Sequence, residues 1–121
     1  MKRVLVIDDD QSVTAMLEEL LGSYGYSVTV ALDAIEGEKL AIAEPFDLVL
    51  LDLRMPGKNG VEVTRGILSE RPECRILIIT GHPTDPAAQE ALAAGAEELV
   101  PKPFEFAKIM DALEKEPDVD R

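Results

Sequence analysis

Hydrophobic residues along this 121-residue chain follow two alternating rhythms. Short unbroken apolar runs, Val4 to Ile7, Leu48 to Leu51 and Ile76 to Ile79, stop at a polar or turn residue. Such runs suit strands covered on both faces. Between the first two the spacing changes. Val13, Met16, Leu17, Leu20, Leu21 and Tyr24 recur at intervals of 3, 1, 3, 1 and 3, which predicts one apolar stripe of an amphipathic helix. Gly22 and Gly25 mark its fraying end and the turn after it.

The same reading extends along the chain. Residues 27–31 predict a second strand. Asp33, with Glu36 three residues on, resembles a capping box; it opens a helix that runs to Glu44, where Pro45 stops it. The third strand, 48–52, ends on Asp52, and 54–60, with Pro56, Gly57 and Gly60, predicts a loop. A helix follows over about 61–70, then a fourth strand over 75–80. Residues 81–86 predict a loop in which Asp85 caps an alanine-rich helix whose first residue is Pro86 and which ends at Gly95. A short fifth strand covers 98–101; Pro101 lacks a backbone donor, so this strand is expected at an edge. The last helix covers about 105–115, and Pro117 ends it.

Five strands alternating with five helices predict an α/β fold: a parallel sheet, right-handed crossovers and helices on both faces. The fingerprint G-x-G-x-x-G is absent after the first strand, where Asp8-Asp9-Asp10 stands instead. A flavodoxin-like three-layer sandwich with strand order 2-1-3-4-5 is therefore expected over the dinucleotide-binding order.

Composition changes the picture in three respects. The length fits one domain. The 24 acidic residues against 12 basic ones give a net charge of −12, which disfavours nonspecific nucleic-acid binding and suits metal cations or basic partner surfaces. The single Cys74 allows no internal disulfide, and the apolar run after Met1-Lys2-Arg3 is too short for a signal peptide or a membrane span. A cytoplasmic protein with no membrane contact is the expectation.

In the order 2-1-3-4-5, strands 1, 3, 4 and 5 are consecutive neighbours. Their carboxyl ends, where open α/β sheets place ligand sites, deliver Asp8 and Asp9, then Asp52, then Thr80, then Lys102. Three carboxylates in one crevice repel one another unless a cation is present. Few oxygen ligands with room for water favour Mg²⁺ over a soft metal. One lysine leaves two negative charges, which one Mg²⁺ cancels.

Val6-Ile7-Asp8-Asp9, Leu51-Asp52-Leu53-Arg54-Met55-Pro56, Thr80-Gly81 and Lys102-Pro103-Phe104 together resemble the signatures of response-regulator receiver domains, the CheY-like phosphoacceptors of two-component signalling. The resemblance covers nearly the whole chain, with a receiver domain over 1–116 and a tail, or the start of a linker, over 117–121. It implies that Asp52 is the phosphoacceptor, taking a phosphoryl group from a sensor histidine kinase, a phosphotransfer protein or a small acyl phosphate. It further implies that Mg²⁺ is held by Asp9, Asp52 and the backbone carbonyl of Arg54, with Asp8 acting through water. Lys102 and Thr80 would receive phosphoryl oxygens, and a cis bond before Pro103 would aim the lysine inward. The chain would catalyse only its own phosphorylation and dephosphorylation. Its output face would comprise the fourth helix, fifth strand and fifth helix, about 86–115, which could also serve a homodimer.

Three departures and two alternatives accompany the resemblance. Leu99 occupies a switch-relay position where receivers often carry Tyr or Phe. Asn59 stands where many carry Asp, and as Asn tolerates a left-handed turn no functional loss is expected. Gly37 lies inside a helix, at roughly 1 kcal/mol relative to Ala, for which close packing on the sheet is the expected reason. Arg54 and His82, two residues beyond Asp52 and Thr80, are expected to crowd the attacking water and lengthen the phosphoryl lifetime. A small Asp-nucleophile Mg²⁺ phosphatase would use Asp8 with Asp10, but leaves Asp52 unexplained. A degenerate receiver acting only in protein contacts is disfavoured because the key residues are all present.

Overall fold

In the computed structural model, which describes residues 2–102 and 106–114, strands and helices alternate along the chain. They are β1 (Arg3–Ile7), α1 (Gln11–Ser23), β2 (Ser27–Ala31), α2 (Ala34–Ala43) and β3 (Leu48–Asp52), then α3 (Gly60–Glu70), β4 (Ile76–Thr80), α4 (Pro86–Ala93), β5 (Glu98–Pro101) and α5 (Phe106–Glu114). The sheet is parallel throughout, in the order β2-β1-β3-β4-β5. The expected topology holds, and Pro101 does lie in an edge strand.

Side-chain alternation along the strands builds two cores. Val4, Val6, Leu48, Leu50, Leu77 and Ile79 pack with Leu17 and Leu21 of α1 and Ile109 and Leu113 of α5. Leu5, Ile7, Val49, Leu51, Ile76 and Ile78 face the other way, against residues of α2, α3 and α4. β3 and β4 are buried at every position, as unbroken apolar runs in a central parallel sheet require.

The local signals decide where each helix starts. Asp10 caps α1, its carboxylate accepting from the Ser12 and Val13 backbone N–H groups at 2.9 and 3.3 Å. The Ser12 hydroxyl donates to it as well and, with those N–H bonds, holds the Asp10 carboxyl below its usual range. Asp33 accepts from the Glu36 N–H at 2.8 Å, which is one half of the capping box expected there. A complete box stands instead at Asn59: Asn59 accepts from the Glu62 N–H at 3.0 Å, and the Glu62 carboxylate accepts from the Asn59 N–H at 3.1 Å. Asn59 has φ −88°, so its contribution is to start α3 and not to make a left-handed turn. Gly57, at φ 89°, makes that turn.

One expected face is corrected. The stripe read from 13 to 24 is buried only at Leu17 and Leu21; Met16, Leu20 and Tyr24 are exposed, and Thr14 is buried in their place. The narrow face of α1 that meets the sheet runs through Thr14, Leu17 and Leu21. Residues one position away on the same apolar band therefore reach solvent. The predicted ends of the last helix, 105 and 115, lie outside the described residues.

Gly37 has the expected structural reason. A Cβ there would stand 2.6–2.7 Å from the Ile7 side chain, so α2 lies directly on β1.

Candidate functional site

β1, β3, β4 and β5 end side by side, as their register demands: Ile7 pairs with Leu51, Asp52 with Ile79, and Thr80 with Pro101. Two backbone bonds carry the ladder on past the strands. The Asp8 N–H donates to the Ala31 carbonyl at 3.1 Å, and the Lys102 N–H donates to the Thr80 carbonyl at 2.8 Å. Asp8 and Asp52 continue the alternation of Val6 and Leu50, and Lys102 that of Val100.

These geometries bring four expected residues together, with the fifth, Thr80, at the end of the neighbouring strand β4. One carboxylate oxygen from each of Asp8, Asp9 and Asp52 lies within 4.8 Å of the others. Asp8 is fully buried and Asp52 is 8% exposed, whereas Asp9 is open to solvent. Lys102 reaches across them, its Nζ 3.0 Å from Asp8 Oδ2 and 3.6 Å from Asp52 Oδ1. Asp8 Oδ1 accepts from the Asp10 backbone N–H at 3.0 Å, so both Asp8 oxygens have partners. Thr80 is buried, and its hydroxyl oxygen accepts from the His82 backbone N–H at 2.8 Å. The hydroxyl proton is then left to donate elsewhere.

The electrostatics follow from burial. Loss of water, then the neighbouring Asp8 charge, push the Asp52 carboxyl up to about 6. Lys102 and the backbone N–H of Arg54 oppose that shift, and Asp9 adds to it. Burial pulls the Lys102 ammonium down, but its hydrogen bond to Asp8 and the Asp52 charge outweigh this and hold it above its usual value. An acidic cluster with one cation is thus incompletely neutralised. Its donor set, carboxylate oxygens with one open member, suits a hard divalent ion such as Mg²⁺.

The remaining expected residues lie around this centre. Leu99 is partly buried against the core beneath α2, α3 and α4. The His82 side chain is exposed. Arg54 points its guanidinium to the Asp85 carboxylate, forming an ion pair with the residue that caps α4. Sequence reasoning found Asp85 as a cap and missed it as the partner of Arg54, because nothing in the local pattern announces a contact 31 residues away. The bond before Pro103 lies outside the described residues.

A parallel five-stranded sandwich with acidic residues, a lysine and a hydroxyl meeting at the carboxyl ends of neighbouring strands is a CheY-like α/β domain. The chain belongs to the response-regulator receiver domain family, whose sequence profile matches residues 4–114. It is 37% identical over 112 residues to the transcriptional regulatory protein ZraR of Salmonella typhimurium, covering 93% of this chain and 25% of that one. The chain therefore spans about a quarter of that relative's length. A response regulator protein of Burkholderia pseudomallei, solved with a phosphorylated aspartic acid, calcium ion and citrate, superposes with TM-score 0.86 at 32% identity, over 95% of this chain and 68% of that one. The receiver domain of the sensor histidine kinase PA1611 of Pseudomonas aeruginosa, solved with a magnesium ion in its active-site cleft, gives TM-score 0.85 at 27% identity, over 93% and 94%. Among the described residues, no helix is long and apolar enough to cross a membrane.

Proposed function

We propose that this receiver domain works as a phosphoacceptor switch in a cytoplasmic two-component pathway. Asp52 takes a phosphoryl group from a sensor histidine kinase or a phosphotransfer protein. The observation that carries this reading is the convergence of the Asp8, Asp9 and Asp52 oxygens within 4.8 Å, with Lys102 3.6 Å from Asp52. An Asp52 oxygen forms a bond to phosphorus as the bond from phosphorus to the donor breaks. The electron pair leaves with the imidazole of a phosphohistidine or the carboxylate of an acyl phosphate.

Each neighbour has a part in this. Asp9, Asp52 and the Arg54 carbonyl would hold Mg²⁺; Asp8, whose two oxygens are already engaged, fits contact through water. When bound, the ion supplies positive charge against the approach of one anion to another. Lys102 offers a compact cation to a phosphoryl oxygen, and Thr80 offers its hydroxyl proton. The site then carries about one extra negative charge, which draws Thr80 and the loop after it inward. Leu99 repacks behind Thr80 without a ring. Arg54 and His82, on the loops beside the open side, would govern water access and so the phosphoryl lifetime. The output face is α4, β5 and α5. The same face could serve a homodimer.

The phosphatase-like reading gains no support. Asp8 is fully buried and bonded to Lys102, and Asp10 is committed to capping α1. Incubation with acetyl phosphate and Mg²⁺, followed by intact mass, is the test. A phosphate-sized gain on the wild type and none on Asp52→Asn is expected. A gain retained in Asp52→Asn and lost in Asp8→Asn would overturn the assignment.

A further inference from the structure

The loop after Asp52 and the helix after Thr80 meet through Arg54 and Asp85. The two Asp85 oxygens serve different masters: Oδ1 accepts from the Ala87 N–H at 2.9 Å, in the first turn of α4, while Oδ2 holds the Arg54 guanidinium. The Asp85 side chain is only 11% exposed, and that of Arg54 is 63% exposed. The contact engages one guanidinium nitrogen, Nη2, and not the planar fork that binds an oxyanion most strongly. A force on Arg54 is therefore felt at the start of α4. That helix has eight residues, and its buried members, Ala88 and Ala91, are small. It leans on its cap more than a helix anchored by large side chains does.

We propose that Asp85 is a positioning residue for the response to phosphorylation. It holds the Arg54 guanidinium away from Asp52 in the resting chain, and a phosphoryl group on Asp52 draws Arg54 off and loosens the first turn of α4. This rests on Asp52 being the acceptor. Arg54 stands two residues beyond it, at most about 7 Å along the chain, so its long side chain can turn back. The phosphoryl group presents about −1.5 to −2 charges and three oxygens. The Asp85 carboxylate presents one charge, and one of its oxygens is already taken by Ala87. Lys102, bonded to Asp8, can meet one phosphoryl oxygen, and the outer phosphoryl oxygens are then open to a second cation. The route to α4 does not pass through β5, so it operates with Leu99 in place of an aromatic ring.

The experiment uses the whole chain with acetyl phosphate and Mg²⁺. Intact mass reports phosphoryl uptake, the Arg54 side-chain N–H resonance reports its partner, and hydrogen exchange reports the α4 amides. In the wild type the Arg54 resonance is expected to move on phosphorylation, and exchange across α4 to rise about fivefold, as loss of a cap contact would produce. Asp85→Asn keeps an oxygen for the Ala87 N–H and drops the charge that holds Arg54. It should take up phosphate as the wild type does, with its Arg54 resonance already displaced at rest and no further change in α4. Phosphate uptake by the wild type with Arg54 and α4 unmoved overturns the inference and leaves the acceptor reading standing. Absence of uptake by the wild type overturns the acceptor reading and this inference with it.

Discussion

Lys102 Nζ sits 3.0 Å from Asp8 Oδ2, joining residues 94 apart in the chain across the ends of β5 and β1. Asp8 is fully buried, and this contact is what offsets the cost of burying its carboxylate. Removing one partner of such a pair strands the other. Lys102→Met should destabilise the metal-free protein by about 3 kcal/mol. Added Mg²⁺ should restore part of that by supplying positive charge. Urea denaturation with and without Mg²⁺ is the measurement; equal losses in both would refute the charge argument.

The Asp52 carboxyl ionises near 3.8 when unfolded and near 6 when folded. Between those values the folded state keeps a proton that the unfolded state has lost. The stability this contributes is fully present below about pH 3.8 and is lost as pH rises through about 6. Asp52→Asn should therefore stabilise the protein by about 2–3 kcal/mol at pH 7–8, with the gain vanishing near pH 4. Thermal melts across that range test the sign. A gain that does not shrink toward acid would show that charge is not its source.

Mg²⁺ competes with the Asp52 proton for the same oxygens. The rise in melting temperature caused by a fixed Mg²⁺ concentration should grow from about pH 5 to about pH 7 and disappear on adding a chelator. Asp9→Asn should blunt it at every pH. An Mg²⁺ effect that is flat with pH would place the ion elsewhere.

Thr80 is buried and tied to the loop that follows it by the His82 N–H. Thr80→Ala should lower stability by about 1–2 kcal/mol through the lost bond and methyl group. It should still accept a phosphoryl group at Asp52, but the loop over 81–86 should no longer change its hydrogen exchange in response. Thr80→Ser should recover the loop response. If Thr80→Ala loses uptake altogether, its hydroxyl serves the chemistry and not only the switch.

Two helical glycines should respond oppositely to alanine. At Gly37 the new Cβ meets the fully buried Ile7 at 2.6–2.7 Å, so overpacking of about 1–3 kcal/mol outweighs the propensity gain. At Gly66 it meets the end of the flexible Glu38 side chain, which can swing away and release Lys58. Gly66→Ala should be neutral or stabilising by up to about 1 kcal/mol. Equilibrium unfolding of the two variants decides it.

Much of this protein was written locally. Apolar runs and helical spacings announced the alternating elements, and right-handed crossovers left few sheet orders. Once the order was fixed, Asp8, Asp9, Asp52, Thr80 and Lys102 had to fall at one edge, because a parallel sheet aligns the ends of its strands. Pro86 and Asp85 marked the start of α4 because capping is settled within one turn. What the tertiary structure alone decided depends on where distant side chains point. The face of α1 turned out to run through Thr14, Leu17 and Leu21, since only contact with the sheet selects among adjacent apolar rows. Asp8 became the main partner of Lys102, and Arg54 the partner of Asp85, through loops that no short pattern relates. The protonation of Asp52 was decided there too, because it follows from how much water the fold excludes around that carboxylate and how near it brings Asp8.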